Sequence, residues 1–108
     1  MVRTTYDSKH DALYVKLLGA RIATSREHAI DSDLVLNYDR DGDIVGIQFL
    51  LVSLVHGMWQ AHPARRALPG ALRDEVDRFM GWMDAGPPDP EQCAARRVPP
   101  QWVLEAHA

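Results

Sequence analysis

The sequence predicts an α+β domain, with a four- or five-stranded antiparallel β-meander over residues 1–53 and one main helix within 54–86 packed against it. An extended proline-rich tail over 87–108 is expected to follow. Three observations predict this. The front half alternates apolar and polar residues at the two-residue period of strands. The stretch 69–84 carries apolar residues at helical spacing. The run "PPDPEQCAARRVPP" is broken by prolines, which lack the N–H that regular pairing needs.

The elements follow in order. "ALYVKLL" sets Leu13, Val15 and Leu17 on one side of a strand and Ala12, Tyr14 and Lys16 on the other. "RIATSREHAI", rich in threonine, serine and charge, reads as an edge strand. "DLVLNY" is a short apolar strand, and "DIVGIQFLL" opposes Val45, Ile47, Phe49 and Leu51 to Ile44, Gly46, Gln48 and Leu50. A weak repeat of 32 residues lays Tyr6-Asp7 on Tyr38-Asp39, Asp11 on Asp43 and Val15 on Ile47. Each copy reads as a strand, a polar tip and an alternating strand, as two similar hairpins would.

The tip "DRDGD" spaces carboxylates as a calcium loop does. Counted from Asp39, however, the position that needs glycine holds Ile44, and the position that needs a bidentate glutamate holds Leu50. Asp41-Gly42 between alternating strands is instead a hairpin signal. Asp7, Asp39, Asp41 and Gly42 are therefore assigned to turns, where an aspartate accepts from amides that the bend leaves unpaired. No metal and no cofactor are expected.

These strands and tips resemble a bacterial family known as domain of unknown function 2283, through "TYDSKHDALYVKL" followed by "LVLNYDRDGDIVGIQFL". The resemblance covers about residues 2–53. It implies a small antiparallel sheet and no established catalytic activity. Some relatives look like partners in toxin–antitoxin gene pairs, which implies a protein-binding role beside a toxin from a neighbouring gene. The chain departs from the family pattern at Gln48, where glutamate is usual, and at His10, where alanine is common.

In the second half, Ser53 is expected to cap a short helix through Leu54, Val55, Met58 and Trp59, in competition with a continued strand. Pro63 is expected to end it, leaving "PARRALPG" as a connector. In "PGALRDEVDRFMGWMDAG", Leu72, Val76, Phe79, Met80 and Met83 form one stripe. Asp74, Glu75 and Asp77 are expected to favour the positive end of that helix. The sheet face carrying Leu13, Val15, Val45, Ile47 and Phe49 is the expected receiver of the stripe. In the tail, Trp102 is expected either to dock on its own domain or to anchor a neighbouring chain.

Composition limits the function. At 108 residues, 46% hydrophobic and 25% charged, the chain suits one globular domain. Net charge is −3, spread over both halves, so the drive toward nucleic acid is small and that role is not expected. The start "MVRTTYDSKHD" lacks an apolar signal core, and the most apolar run, Ile44 to Val55, is too short for a bilayer. A cytoplasmic location, with Cys93 unpaired, is the expectation.

No nucleophile elbow or phosphate-cradling glycine pattern occurs, which weighs against an enzyme. Asp7, His10 and Asp11 crowd one turn, and with His56 they supply the alternative acid–base set of a small enzyme or ligand-binding protein with a pocket between sheet and helix. The leading expectation is a non-catalytic bacterial interaction module, antitoxin-like in the sense the resemblance implies. Tyr14, Trp59 and Trp102 are its candidate anchors, because aromatic side chains give large contact area at little rotamer cost. A self-assembling homo-oligomer is the remaining alternative.

Overall fold

The computed structural model describes residues 2–7, 9–29 and 33–84, and the backbone of a strand at 102–105. Five antiparallel strands form as the alternation requires: β1 (Val2–Asp7), β2 (Ala12–Leu17), β3 (Thr24–Glu27), β4 (Leu34–Tyr38) and β5 (Ile44–Phe49). Their order is β3-β4-β5-β2-β1, so the sheet is not a sequential meander. The reason lies in β3, whose "TSRE" is exposed at every position and has no apolar face to offer the middle of a sheet. It goes to the edge. The apolar strands β2 and β5 pair at the centre, with Leu13 opposite Phe49 and Val15 opposite Ile47.

This pairing gives the sequence repeat a geometric meaning. Residues one repeat apart, Val15 and Ile47, are direct cross-strand partners, so the hairpins β1–β2 and β4–β5 are related by an approximate two-fold axis between them. The turns agree with this. Asp39 Oδ1 accepts from the amides of Asp41 and Asp43, and Gly42 takes φ +85°. Asp7 Oδ1 accepts from the amides of Lys9 and His10 in the same manner. Asp41 contributes its backbone N–H to the bend.

The chain then crosses one sheet face as α1 (Val52–His56), a 3-10 turn (Trp59–Ala61), α2 (Pro63–Ala67) and α3 (Gly70–Met83). All five residues of the α3 stripe are buried, each contributing about 1.5–3 kcal/mol before conformational entropy is charged. Phe79 meets Tyr6 at 4.9 Å between ring centroids, and Trp59 meets Phe49 edge-on at 5.3 Å. Ile47, Phe49, Leu13 and Val15 receive the helices as expected, but Val45 does not join this cluster. A register shift at Asn37/Tyr38 pairs Ile44 with Tyr38 instead, and Ile44 packs on the core in its place. Leu51, expected to continue the inward side, lies beyond the strand end and is exposed.

Three local expectations are corrected. The N-cap of α1 is Leu51, and Ser53 sits in the first turn, where its amide and hydroxyl both donate to Asp11 at 2.9 Å. Pro63 opens a helix: proline has no N–H to lose at a helix start, and His62 Nδ1 accepts from the Ala64 amide at 3.1 Å. Residues 63–67 are thus helical, not a connector. In α3 the first turn holds no acid, so Asp74, Glu75 and Asp77 lie past the reach of the dipole, and Glu75 and Asp77 bond elsewhere.

Most of the expected tail, including Cys93, lies outside the described residues. Its segment Trp102–Glu105 forms β6, which pairs in parallel with β1, Thr4 opposite Trp102 and Asp7 opposite Glu105. This segment carries no proline, so its amides are free to pair where those of the preceding prolines are not.

Candidate interaction surface

The helices occupy one side of the sheet through Thr4, Tyr6, Leu13, Val15, Leu34, Leu36, Ile47 and Phe49, all buried. Strand alternation turns the intervening residues to the opposite side. Cross-strand rows there read Glu27, Val35, Gln48, Tyr14, Thr5 and, one pair along, Ser25, Asn37, Gly46, Lys16, Arg3. None of the described helices packs on this side. Along β1 and β2 it is hollowed to about 560 Å³, lined by Arg3, Thr5, Asp7, Tyr14, Lys16 and Gln48 among others. The two-fold is broken here. The position equivalent to Tyr14 is Gly46, and the Asn37 side chain lies across it, so that a Cβ at Gly46 would stand 2.7 Å from Asn37 Oδ1. Asn37 fills in one half of the face; the other carries the hollow.

Tyr14 stands half-buried in that hollow, and burial pushes its phenol above the ordinary value. Of the three candidate anchors it alone is placed on a described surface. Trp59 is fully buried under Phe49, and its indole N–H donates to Asp77 Oδ1 at 2.8 Å, so it is a core residue and not an anchor. The Trp102 side chain lies outside the described residues. Asp77 also takes the Arg65 fork, Nε at 3.0 Å and Nη2 at 2.8 Å. The Arg65 fork, reinforced by the indole, holds the Asp77 carboxyl below the usual carboxylate range, and the same bonds raise the Arg65 guanidinium.

The alternative acid–base set does not assemble. His10 Nδ1 lies 2.7 Å from Asp7 Oδ2 on a side chain 63% exposed. Asp11 turns away from that pair to accept from Tyr6 Oη at 3.1 Å and from Ser53, holding φ +55° as it does so. His56 is separate again, its Nε2 donating toward Asp84 Oδ1 at 2.6 Å and the Met80 carbonyl at 3.2 Å. The space between sheet and helices, where the alternative pocket was expected, is taken by the aromatic and aliphatic core. The hollow lies on the other side of the sheet.

Sequence reasoning missed two features. Glu75 is buried inside the α3 stripe, accepting from the buried Thr4 hydroxyl at 3.2 Å, with Arg78 at 3.3 Å. Its spacing of three from Leu72 and four from Phe79 was the available signal. The second is an apolar ridge at the β5–α1 junction. Leu54 and Met58, four apart, are 66% and 56% exposed, and Leu50 and Leu51 beside them are 41% and 40% exposed. Val52 and Val55 point inward from the same turns, so the ridge is the outward remainder of an apolar run.

Sheet order, turn chemistry and the two-hairpin repeat all lie within the first 53 residues. Residues 3–53 match DUF2283, a family of proteins of unknown function. The matched segment covers slightly less than half of the chain and ends at the first turn of α1, so α2, α3 and β6 lie beyond it. It contains the hollow around Tyr14 and half of the ridge, Leu50 and Leu51. The matched description names no activity. Neither a curated protein nor a solved structure matches the chain. Among the described residues, no helix is long and apolar enough to cross a membrane.

Proposed function

We propose that this protein is a non-catalytic protein-interaction module of the cytoplasm that holds one protein partner, in an antitoxin-like pairing with the product of a neighbouring gene. The single observation that carries the reading is the run of Leu50, Leu51, Leu54 and Met58, four large apolar side chains exposed along and on either side of the short helix α1. Scattered exposed leucines need no explanation, but a cluster of this kind marks an interface. Edge pairing through β3 is the weaker route to association. That strand has four residues and carries Arg26 and Glu27, features that discourage another strand from adding on.

The test is co-expression with the adjacent open reading frame, with mass measured in solution. The partner is expected to be retained by the native chain and lost from Leu54→Glu/Met58→Glu. Both positions are exposed, so the variant's own stability is expected to stay within about 0.5 kcal/mol. A native chain that purifies as a lone monomer would overturn the reading, and a homo-oligomer that dissociates on the same substitutions would reassign the ridge to self-assembly.

A further inference from the structure

The register of β1 on β2 sets Arg3 directly opposite Lys16, on the side of the sheet away from the helices. Like charges in direct cross-strand opposition repel, and sheets avoid the arrangement unless something else compensates it. Among the described residues neither cation has an acidic partner. Asp7 shares the hollow but lies beyond the Thr5–Tyr14 pair, about 13 Å along the strands from Arg3 at ~3.3 Å per residue, and is itself engaged by His10. The next row brings the Tyr14 phenol, the Thr5 hydroxyl and the Gln48 carboxamide beside the two cations, in the same hollow of about 560 Å³. The site thus brings two cations that have no acidic partner among the described residues together with neutral donors in one hollow.

We propose that Arg3 and Lys16 form the recognition point for a carboxylate on an acidic, extended segment of a protein partner, with Tyr14 as the neighbouring contact. This rests on the reading of the chain as an interaction module and names the chemistry its partner presents. Charge complementarity decides the occupant. Two cations suit one or two carboxylates, whereas a net charge of −3 on the whole chain repels a long polyanion such as nucleic acid. The hollow runs along two strands, which fits a peptide in strand-like conformation better than a compact ion.

The experiment is a titration of the ¹⁵N-labelled full chain with acetyl-Ala-Glu-Leu-Glu-Ala-amide, its Lys-for-Glu counterpart, and inorganic phosphate. The glutamyl peptide is expected to shift the amides of Arg3, Thr5, Tyr14, Lys16 and Gln48 saturably, and the lysyl peptide to leave them in place. In Arg3→Gln/Lys16→Gln the affinity is expected to fall at least tenfold, while the thermal midpoint stays level or rises as the repulsion is removed. No saturable shift, equal response to both peptides, equal response to phosphate, or binding indifferent to the double substitution would each overturn the proposal. If the neighbouring gene product is retained yet Arg3→Glu/Lys16→Glu does not release it, this inference falls while the interaction module stands. If no gene product is retained but the glutamyl peptide binds at these residues, the carboxylate site stands and the pairing with that gene falls.

Discussion

Replacing Asp77 with alanine tests how the helical layer is tied together. The carboxylate gathers three donors from two other segments: the Trp59 indole at 2.8 Å from the 3-10 turn, and both nitrogens of the Arg65 fork from α2. Trp59 is fully buried, so its N–H has no route to water when the acceptor goes, and an orphaned buried donor costs about 1–3 kcal/mol. The Arg65 fork is only partly exposed, so its loss adds to that cost, by less than the orphaned indole does. At about 4–8 °C per kcal/mol for a domain of this size, Asp77→Ala is expected to lower the thermal midpoint by roughly 4–24 °C.

Tryptophan fluorescence in urea reads the free energy. Asp77→Asn keeps an oxygen for the indole and is expected to cost clearly less than Asp77→Ala. With Trp59→Phe, Asp77→Ala is expected to couple by about 1 kcal/mol or more. Because the folded carboxyl lies below its unfolded value near ~3.9, its stabilisation is fully present above that value. It is lost as the pH falls through the folded one. The gap between wild type and Asp77→Ala should therefore be full at neutral pH and narrow in acid toward that between Asp77→Asn and Asp77→Ala, because the protonated carboxyl still offers the indole an oxygen. Additive substitutions, or an asparagine as costly as alanine, would refute the role given to the Trp59–Asp77 bond.

Other consequences follow from single contacts. Gly46→Ala is expected to cost about 1–3 kcal/mol in urea unfolding, because the new Cβ would stand 2.7 Å from Asn37 Oδ1 and 3.3 Å from the Val15 carbonyl. Asn37→Ala in the same chain should recover part of that loss. Asp11→Ala removes the acceptor of Tyr6 and Ser53 while keeping a Cβ at φ +55°, and is expected to cost more than Asp11→Gly by up to about 1 kcal/mol. Equal costs would show that backbone strain at Asp11 carries no weight.

Much of the site's setting was legible in the residues. Tyr14, Lys16 and Gln48 alternate with Leu13, Val15 and Phe49, so their shared side of the sheet followed from the two-residue period. Arg3 against Lys16 did not follow, because cross-strand register depends on how the hairpin closes across Asp7–Asp11. The acid–base set failed for a related reason. His10 and Asp11 are adjacent in sequence, but the positive φ at Asp11 sends its carboxylate to Ser53, and only the packed domain brings Ser53 there. Trp59 is ambiguous in the same way, since a tryptophan beside exposed Met58 serves surface or core according to what lies beneath it.

The sequence by itself determined the strands, their turns, the α3 stripe and the two-hairpin repeat, because backbone preference and hydrophobic period act over a few neighbouring residues. Only the tertiary structure decided that β2 and β5 meet at the centre, that β3 is driven to the edge, and that Glu75 and Trp59 face inward. Those outcomes depend on which distant surfaces exclude water together, and that is a property of the folded chain as a whole.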